Sequence, residues 1–247
     1  MAEVHLLIDG FFICDRRIFL PEGRQAQYTA AAKSLLIISG RERILVDTGI
    51  GSIPEGPGFD ELRKTLVIRR KAGNGVRQEL ARLGLRPEQI TTVINTHLHN
   101  AHSGNNPLFK DAKFYIAGDE FEFVDKLVSE DPNQSAYIQE RFDRLRDVVR
   151  VRGRFKLTEE VTILPTPGHT LGHQSVVIER DGRTLVYSGD VSPLKENVTK
   201  RIAMSGYDRQ LSLESMKRLL RIPNASWIFT HDSDQLSLRQ AYRPTAG

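Results

Sequence analysis

Apolar positions in the first third of the chain fall in runs rather than at helical spacing. Val4–Cys14 is largely apolar, Tyr28–Ile38 is rich in small and apolar residues, and Arg43–Val46 leads into Asp47-Thr48-Gly49. These read as three strands separated by turn signals at Pro21-Glu22-Gly23 and Gly40. Residues 49–58 hold four glycines and two prolines and predict a loop. The period then changes. Asp60–Lys71 and Gly75–Leu83 read as helices, the second with Val76, Leu80 and Leu83 at i, i+4 and i+7 and with Gly84 placed to end it. Thr91–Thr96 and Ala112–Ala117 predict short strands, and Asp119–Leu127 and Gln134–Val148 predict helices. Strands return at Val149–Val151, Val161–Leu164, Gln174–Glu179 and Thr184–Tyr187, the last two joined by an Asp181-Gly182 hairpin turn. Ser212–Ile222 is amphipathic, with Leu213, Met216 and Leu220 on one face, and Trp227–Thr230 predicts a final strand.

Strands, helices, strands and a helix in that order suit two packed sheets covered on their outer faces by helices. The expected fold is α+β, a four-layer αββα sandwich. No repeat, linker or shift in composition divides residues 1–247, so a single domain is expected. No apolar run approaches the roughly 20 residues that span a bilayer, which argues against a membrane partner. Met1–Leu20 carries Glu3, Asp9, Asp15, Arg16 and Arg17 and lacks a signal-peptide layout, so the expected compartment is cytoplasmic. The one cysteine, Cys14, excludes an internal disulfide and reads as a small buried residue. A net charge of +4 is too small to argue for nucleic acid. The basic residues between Arg141 and Lys156 are interleaved with Asp143 and Asp147 and read as a solvated helix face running into a strand.

Candidate chemistry concentrates in the histidines. Three of seven lie in Thr96-His97-Leu98-His99-Asn100-Ala101-His102, directly after a predicted strand. His97 and His99, two apart at a strand end, can point the same way, and His102 follows a short turn. His169 sits in a Pro-Gly turn after the strand ending at Leu164, Asp190 follows the strand ending at Tyr187, and His231 follows Trp227–Thr230. Each position lies at or just past a strand end, where a fold can gather distant residues on one rim. Imidazole with carboxylate and no thiolate suits zinc first, with iron, manganese and cobalt as alternatives. Five histidines and an aspartate exceed what one tetrahedral ion needs, so two divalent ions sharing Asp190 are expected. His173, four residues after His169, reads as a support for the loop rather than a ligand. Asp47 is either an acceptor for an N–H of a metal-bound imidazole or a turn cap. His5 reads as an ordinary surface or core histidine.

The stretches Leu45-Val46-Asp47-Thr48-Gly49, Thr96 to His102, Pro167-Gly168-His169-Thr170, Ser188-Gly189-Asp190 and Thr230-His231 stand in the order found in the metallo-β-lactamase-fold superfamily. The resemblance covers about residues 43 to 232. It implies the αββα fold and a dinuclear site between the sheets. One ion would take His97, His99 and His169, the other His102 and His231, with Asp190 and a hydroxide bridging them. The stretches Thr166 to Ser175 and Asp190 to Asn197 further resemble the N-acyl-homoserine lactonases. This implies a hydrolase that opens a small-molecule lactone or related ester, a quorum-quenching type of activity, with a homodimer left open. Alternatives are a phosphodiester, thioester or β-lactam hydrolase of the same fold, and a weakly catalytic member that binds metal or ligand.

Three positions depart from the family. Its motif is His-x-His-x-Asp-His, and Ala101 stands at the aspartate. In the family that carboxylate binds the second ion and handles a proton, and a methyl group can do neither. The second site is therefore expected to be weakened and catalysis impaired. Ala101 fits an inactivating substitution, a natural variant with another source of acid, or a protein that has lost its chemistry. Pro193 stands three residues past Asp190, where lactonases often carry a tyrosine, and offers no donor. Asn100 stands at a position that is often aromatic and is expected to make that wall of the site more polar.

Overall fold

The computed structural model describes residues 2–69, 75–130 and 136–244. Among these, β1 (Glu3–Asp15), β2 (Gln27–Ser39), β3 (Glu42–Val46), β4 (Val67–Arg69), β5 (Thr92–Ile94), β6 (Lys113–Ala117) and β7 (Val148–Val151) form one sheet in the order β4-β1-β2-β3-β5-β6-β7. A second sheet, β12-β11-β10-β9-β8, takes β8 (Phe155–Lys156), β9 (Val161–Pro165), β10 (Gln174–Arg180), β11 (Arg183–Tyr187) and β12 (Ala225–Ile228). The hairpin turn between β10 and β11 puts Asp181 and Gly182 at φ 50° and 67°, the two positive values a type I′ turn requires.

Side-chain alternation assembles the layers. Leu35, Ile37, Ile44, Val46 and Ile94 point from the first sheet into a shared core with Val161, Ile163, Val176, Ile178, Tyr187 and Ile228 of the second. After α1 (Asp60–Thr65), helix α2 (Val76–Arg82) covers their outward-pointing neighbours Leu36, Leu45 and Val93, supplying Val76 and Leu80 to this outer core. After the single turn α3 (Asn100–Ser103), helix α4 (Gly118–Glu130) adds Val124 to the same layer. On the other side, Val177, Val186 and Trp227 pack beneath α5 (Lys195–Lys200) and α6 (Arg209–Leu220) through Val198, Met216 and Leu219. The order is helices, sheet, sheet, helices: the αββα sandwich expected from the sequence. Among the described residues no helix is long and apolar enough to cross a membrane.

Two expected helices are corrected. Asp60–Lys71 is helical only to Thr65. Val67–Arg69 pairs with Phe11–Ile13, because the β-branched pair Val67-Ile68 suits the free edge of β1 better than another helical turn. Residues 70 and 71 lie outside the described residues. In Gln134–Val148, residues 134 and 135 lie outside them, and the rest holds only the short turn Gln139–Arg141 before β7 begins at Val148. Tyr137, Ile138 and Phe142 are buried, and the backbone of Ala136 accepts the Asn100 N–H, so tertiary contacts take this segment out of the helical path. The basic side chains there do not share a helix face: Arg141 donates to the Ser52 carbonyl, and Arg150 lies over the Phe121 ring. The last helix begins earlier than expected, at Arg209, where the Asp208 carboxylate caps the Leu211 N–H. The short elements β8, α3 and α5 are additions.

Strand direction makes the functional rim. β3 and β5 are parallel, and β9, β11 and β12 also run in one common direction. Their C-terminal ends release Asp47, the His97 segment, the His169 turn, Asp190 and His231 at one edge of the sandwich.

Candidate metal centre

Beyond Ile94 the chain leaves the sheet and bends at Thr96, and the Leu98 side chain is fully buried in the outer core. His97 and His99, on either side of it, turn their rings towards each other. One helical turn follows, with the N–H groups of His102 and Ser103 both donating to the His99 carbonyl at 2.9 Å. That turn returns His102 to the side of His97. The His102 carbonyl is fixed by the Thr48 N–H at 2.7 Å.

The five ring systems form two sets on either side of Asp190. In the first, His99 Nδ1 lies 2.9 Å from His97 Nε2 and 3.0 Å from His169 Nε2. In the second, the Nε2 atoms of His102 and His231 are 3.2 Å apart. Asp190 Oδ2 faces the first set, at 3.6 Å from His169 and 4.0 Å from His97. Its Oδ1 faces the second, at 3.4 Å from His102 and 3.3 Å from His231. Nitrogens placed tetrahedrally at roughly 2.0–2.1 Å from zinc lie about 3.3 Å from each other, so both spacings suit a divalent ion. The clusters His97-His99-His169 and His97-His102-Asp190 each bring three donor atoms within 4.8 Å of one another.

The outward nitrogens are held by hydrogen bonds that fix ring orientation. His169 Nδ1–H donates to the Ser205 carbonyl at 3.0 Å, and His231 Nδ1–H donates to the Ala31 carbonyl at 2.8 Å. His102 Nδ1–H donates to Asp47 Oδ2 at 2.8 Å, while Asp47 Oδ1 accepts the Thr96 N–H at 2.7 Å. Asp47 thus takes an imidazole N–H, the first alternative drawn from the sequence, and its other oxygen ties down a strand end 49 residues away rather than capping its own turn. It does so from a left-handed conformation, φ 58°, which aspartate tolerates better than most residues. His173 packs beside His97, ring centroids 5.3 Å apart, but both its nitrogens are engaged outside the two sets. Its Nε2 accepts the Asp190 N–H at 2.8 Å, and its Nδ1–H donates to the Thr166 carbonyl at 3.0 Å. Gly189, at φ 59°, is needed between them, since a Cβ there would lie 2.5 Å from His173 Nε2. His5 is remote from both sets and meets Glu3 at 2.8 Å.

Burial and neighbours set opposite protonation on the two sides. Burial, then the surrounding imidazoles, pushes His97 and His99 well below the ordinary histidine range, and burial also lowers His169. These rings are neutral, with lone pairs free for a ligand. Burial works against charge on His102 too, but Asp190 and Asp47 prevail and raise it to about 10. Asp190 resists its own burial because His231 and His102 hold it well below the carboxylate range. Burial takes His173 down to about 3.

Two buried charged residues that brace the centre were not singled out from the sequence. Glu120 accepts the Leu98 N–H at 2.9 Å and the Thr170 hydroxyl at 2.6 Å, tying the His97–His99 segment to the His169 turn. Lys33 donates to the carbonyls of Phe229 and Asp232, on either side of His231. Glu120 is one of five acids on its helix and carries no distinguishing pattern. Lys33 did carry a signal, as the one charge within the run Tyr28–Ile38.

A cavity of about 220 Å³ opens onto both sets. Its walls include Phe12, Phe19, Leu66, Met204 and Ala101. The Ala101 Cβ offers the cavity neither a proton nor a ligand atom. Asn100 also lines it, with Nδ2 donating to the Gly51 carbonyl at 3.0 Å and Oδ1 buried without a hydrogen-bond partner. Pro193 is buried and its carbonyl accepts the His231 N–H at 3.0 Å. Cys14 is buried in the apolar cluster beside this wall, where burial and then Asp15 push its thiol up to about 12.

A family model described as the metallo-beta-lactamase superfamily matches residues 30–231. A probable metallo-hydrolase of Methanocaldococcus jannaschii is 38% identical over 144 residues, 58% of each chain. An N-acyl homoserine lactonase of Bacillus cereus is 31% identical over 211 residues, covering 78% of this chain and 77% of that one. Among solved structures, a B. thuringiensis AiiA variant with N-decanoyl-L-homoserine bound at its active site superimposes with a TM-score of 0.82 at 24% identity, over 94% of both chains. AidC, a dizinc quorum-quenching lactonase in complex with a product, gives 0.73 at 19% identity, over 94% of this chain and 88% of that one. At these identities the structural likeness speaks for the fold.

Proposed function

This chain belongs to the metallo-beta-lactamase superfamily, and on that premise we propose that it is a metal-dependent hydrolase that opens a lactone or a related ester. The observation that carries the reading is the division of Asp190: one carboxylate oxygen faces His97 and His169, the other His102 and His231. His97, His99 and His169 would hold one divalent ion, zinc by donor type, and His102 and His231 a second, with Asp190 shared. Bound there, such ions supply a water acidic enough to ionise near neutral pH and a Lewis acid for a carbonyl oxygen.

The chain's own residues do the rest. Asp47 and the carbonyls of Ser205 and Ala31 hold the outward imidazole protons, which aims the inward nitrogens, and His102 would give up its inward proton to an ion. Phe12, Phe19, Leu66 and Met204 give the cavity an apolar wall suited to an acyl chain, and the buried Asn100 amide gives it one polar point. Ring opening leaves an alkoxide that needs a proton. Ala101 supplies none, and a positioned acid is typically worth about 10²–10⁴-fold, so turnover is expected to be slow for the fold.

The test is base uptake by zinc-loaded protein on a panel of N-acyl-homoserine and simple lactones. Slow ring opening is expected, and no uptake by protein of verified metal content would overturn the reading. Ala101 favours a second reading, ligand binding without turnover. Calorimetric binding of a lactone with no ring-opened product by mass spectrometry would select it.

A further inference from the structure

Lys33 lies on the inward-facing side of β2 and is 1% exposed. Ala30, Ala31, Ala32, Leu35, Leu36 and Ile37 around it are all buried apolar residues. An unbranched apolar side chain would fill the same space without taking an amine out of water, so the amine calls for an explanation beyond packing. Its hydrogen bonds supply one. Nζ donates to the Phe229 carbonyl at 2.9 Å and to the Asp232 carbonyl at 2.6 Å. These belong to the residue two before His231 and the residue one after it. Two places earlier on the same strand, the Ala31 carbonyl accepts His231 Nδ1–H at 2.8 Å, and the Ala31 N–H donates to the His231 carbonyl at 3.2 Å. β2 therefore grips the His231 segment at four points, two of them through the Lys33 amine. The Asp232 carboxylate is engaged elsewhere, accepting the N–H groups of Lys195 and Asp234 at 3.0 Å each. The first set has a separate brace in Glu120, which accepts the Leu98 N–H and the Thr170 hydroxyl.

We propose that Lys33 is a positioning residue for His231: by fixing the backbone on both sides of that histidine it sets the affinity of the second ion, and it leaves the first ion unaffected. The proposal rests on the two-ion reading of the centre. It goes beyond that reading in giving the second ion a control point outside the ligands.

The experiment is stepwise zinc binding, read by competition with a chromophoric chelator, in the full chain and in Lys33→Met and Lys33→Gln. The methionine removes both donors. The glutamine keeps an amide that can reach one carbonyl. Loss of a residue that orients a ligand costs about 10–100-fold in metal affinity. The expected result is a loss of that size at the second equivalent in Lys33→Met, a smaller loss in Lys33→Gln, and an unchanged first equivalent in both. Equal weakening of both equivalents, or none at either, would overturn the proposal. Failure of both variants to fold would also count against it, since Lys33 would then serve the whole fold rather than His231. If the unsubstituted chain bound no zinc, the two-ion reading itself would fall. Two ions with a first equivalent that moves in Lys33→Met would sink the Lys33 assignment alone.

Discussion

One oxygen of Asp190 faces His97 and His169, which cluster with His99, and the other faces His102 and His231, yet the two sets are provisioned differently. The first has three neutral imidazoles and a brace, Glu120, that joins both contributing loops. The second has two imidazoles, one held as a cation between Asp190 and Asp47, and a methyl group where its relatives' motif has a carboxylate. The difference separates two demands on a metal centre. Holding an ion needs convergent donors of neutral or negative charge. Working on a substrate also needs a group that can pass a proton. The first set meets the first demand fully, and the second set falls short of both at one position, Ala101.

The largest effect that would sharpen this comparison is removal of a first-set ligand. His169→Ala is expected to weaken the first ion by more than about 100-fold and to abolish lactone opening, read by elemental analysis and base uptake. An active variant with normal zinc would break the assignment of that set. Next, Ala101→Asp is expected to raise the ring-opening rate by about 10²–10⁴-fold and to tighten the second ion. Ala101 is half-buried and faces the cavity, so the new carboxylate has room. An unchanged rate would mean that the missing acid is not what limits the chain. Asp47→Asn, a smaller change, is expected to cost the second ion about 10–100-fold and the first ion less, because Asp47 bonds His102 directly and reaches His97 only through Thr96.

Among these effects the smallest concerns the brace. Burial raises the Glu120 carboxyl from its ordinary 4.5 to about 7. In the metal-free protein its contribution to stability is therefore full below about pH 4.5 and is lost as pH rises through about 7. The amount is on the order of a few kcal/mol. Glu120→Gln should flatten that part of the profile of melting temperature against pH. An identical slope in the variant would remove Glu120 as its cause.

How far the chain could be read before folding follows from the same division. His97, His99, His102, His169, Asp190 and His231 were legible as strand-end residues, because hydrophobic runs mark strands and parallel strands deliver their ends to one rim. The layered fold was legible from element order together with the family resemblance. What escaped depends on contacts between distant segments. Glu120 looks like any exposed helix acid until Leu98 and Thr170 are brought beside it. Residues 136–148 carry apolar positions compatible with a helix, but they are drawn over the outer core and against α3. Val67–Arg69 became a strand only because β1 left an edge open. That each oxygen of Asp190 faces a different set of histidines is likewise a product of the fold, since spacing along the chain cannot orient a carboxylate.

The central claim is the inequality of the two sets, and stepwise zinc titration of the metal-free chain tests it most directly. Two steps are expected, the second at least about 10-fold weaker, since losing a ligand should cost no less than losing a residue that merely orients one. At pH 8 the second should release about one proton, from His102, and the first almost none. Two ions taken up in a single step of equal affinity, with equal proton release, would contradict the account.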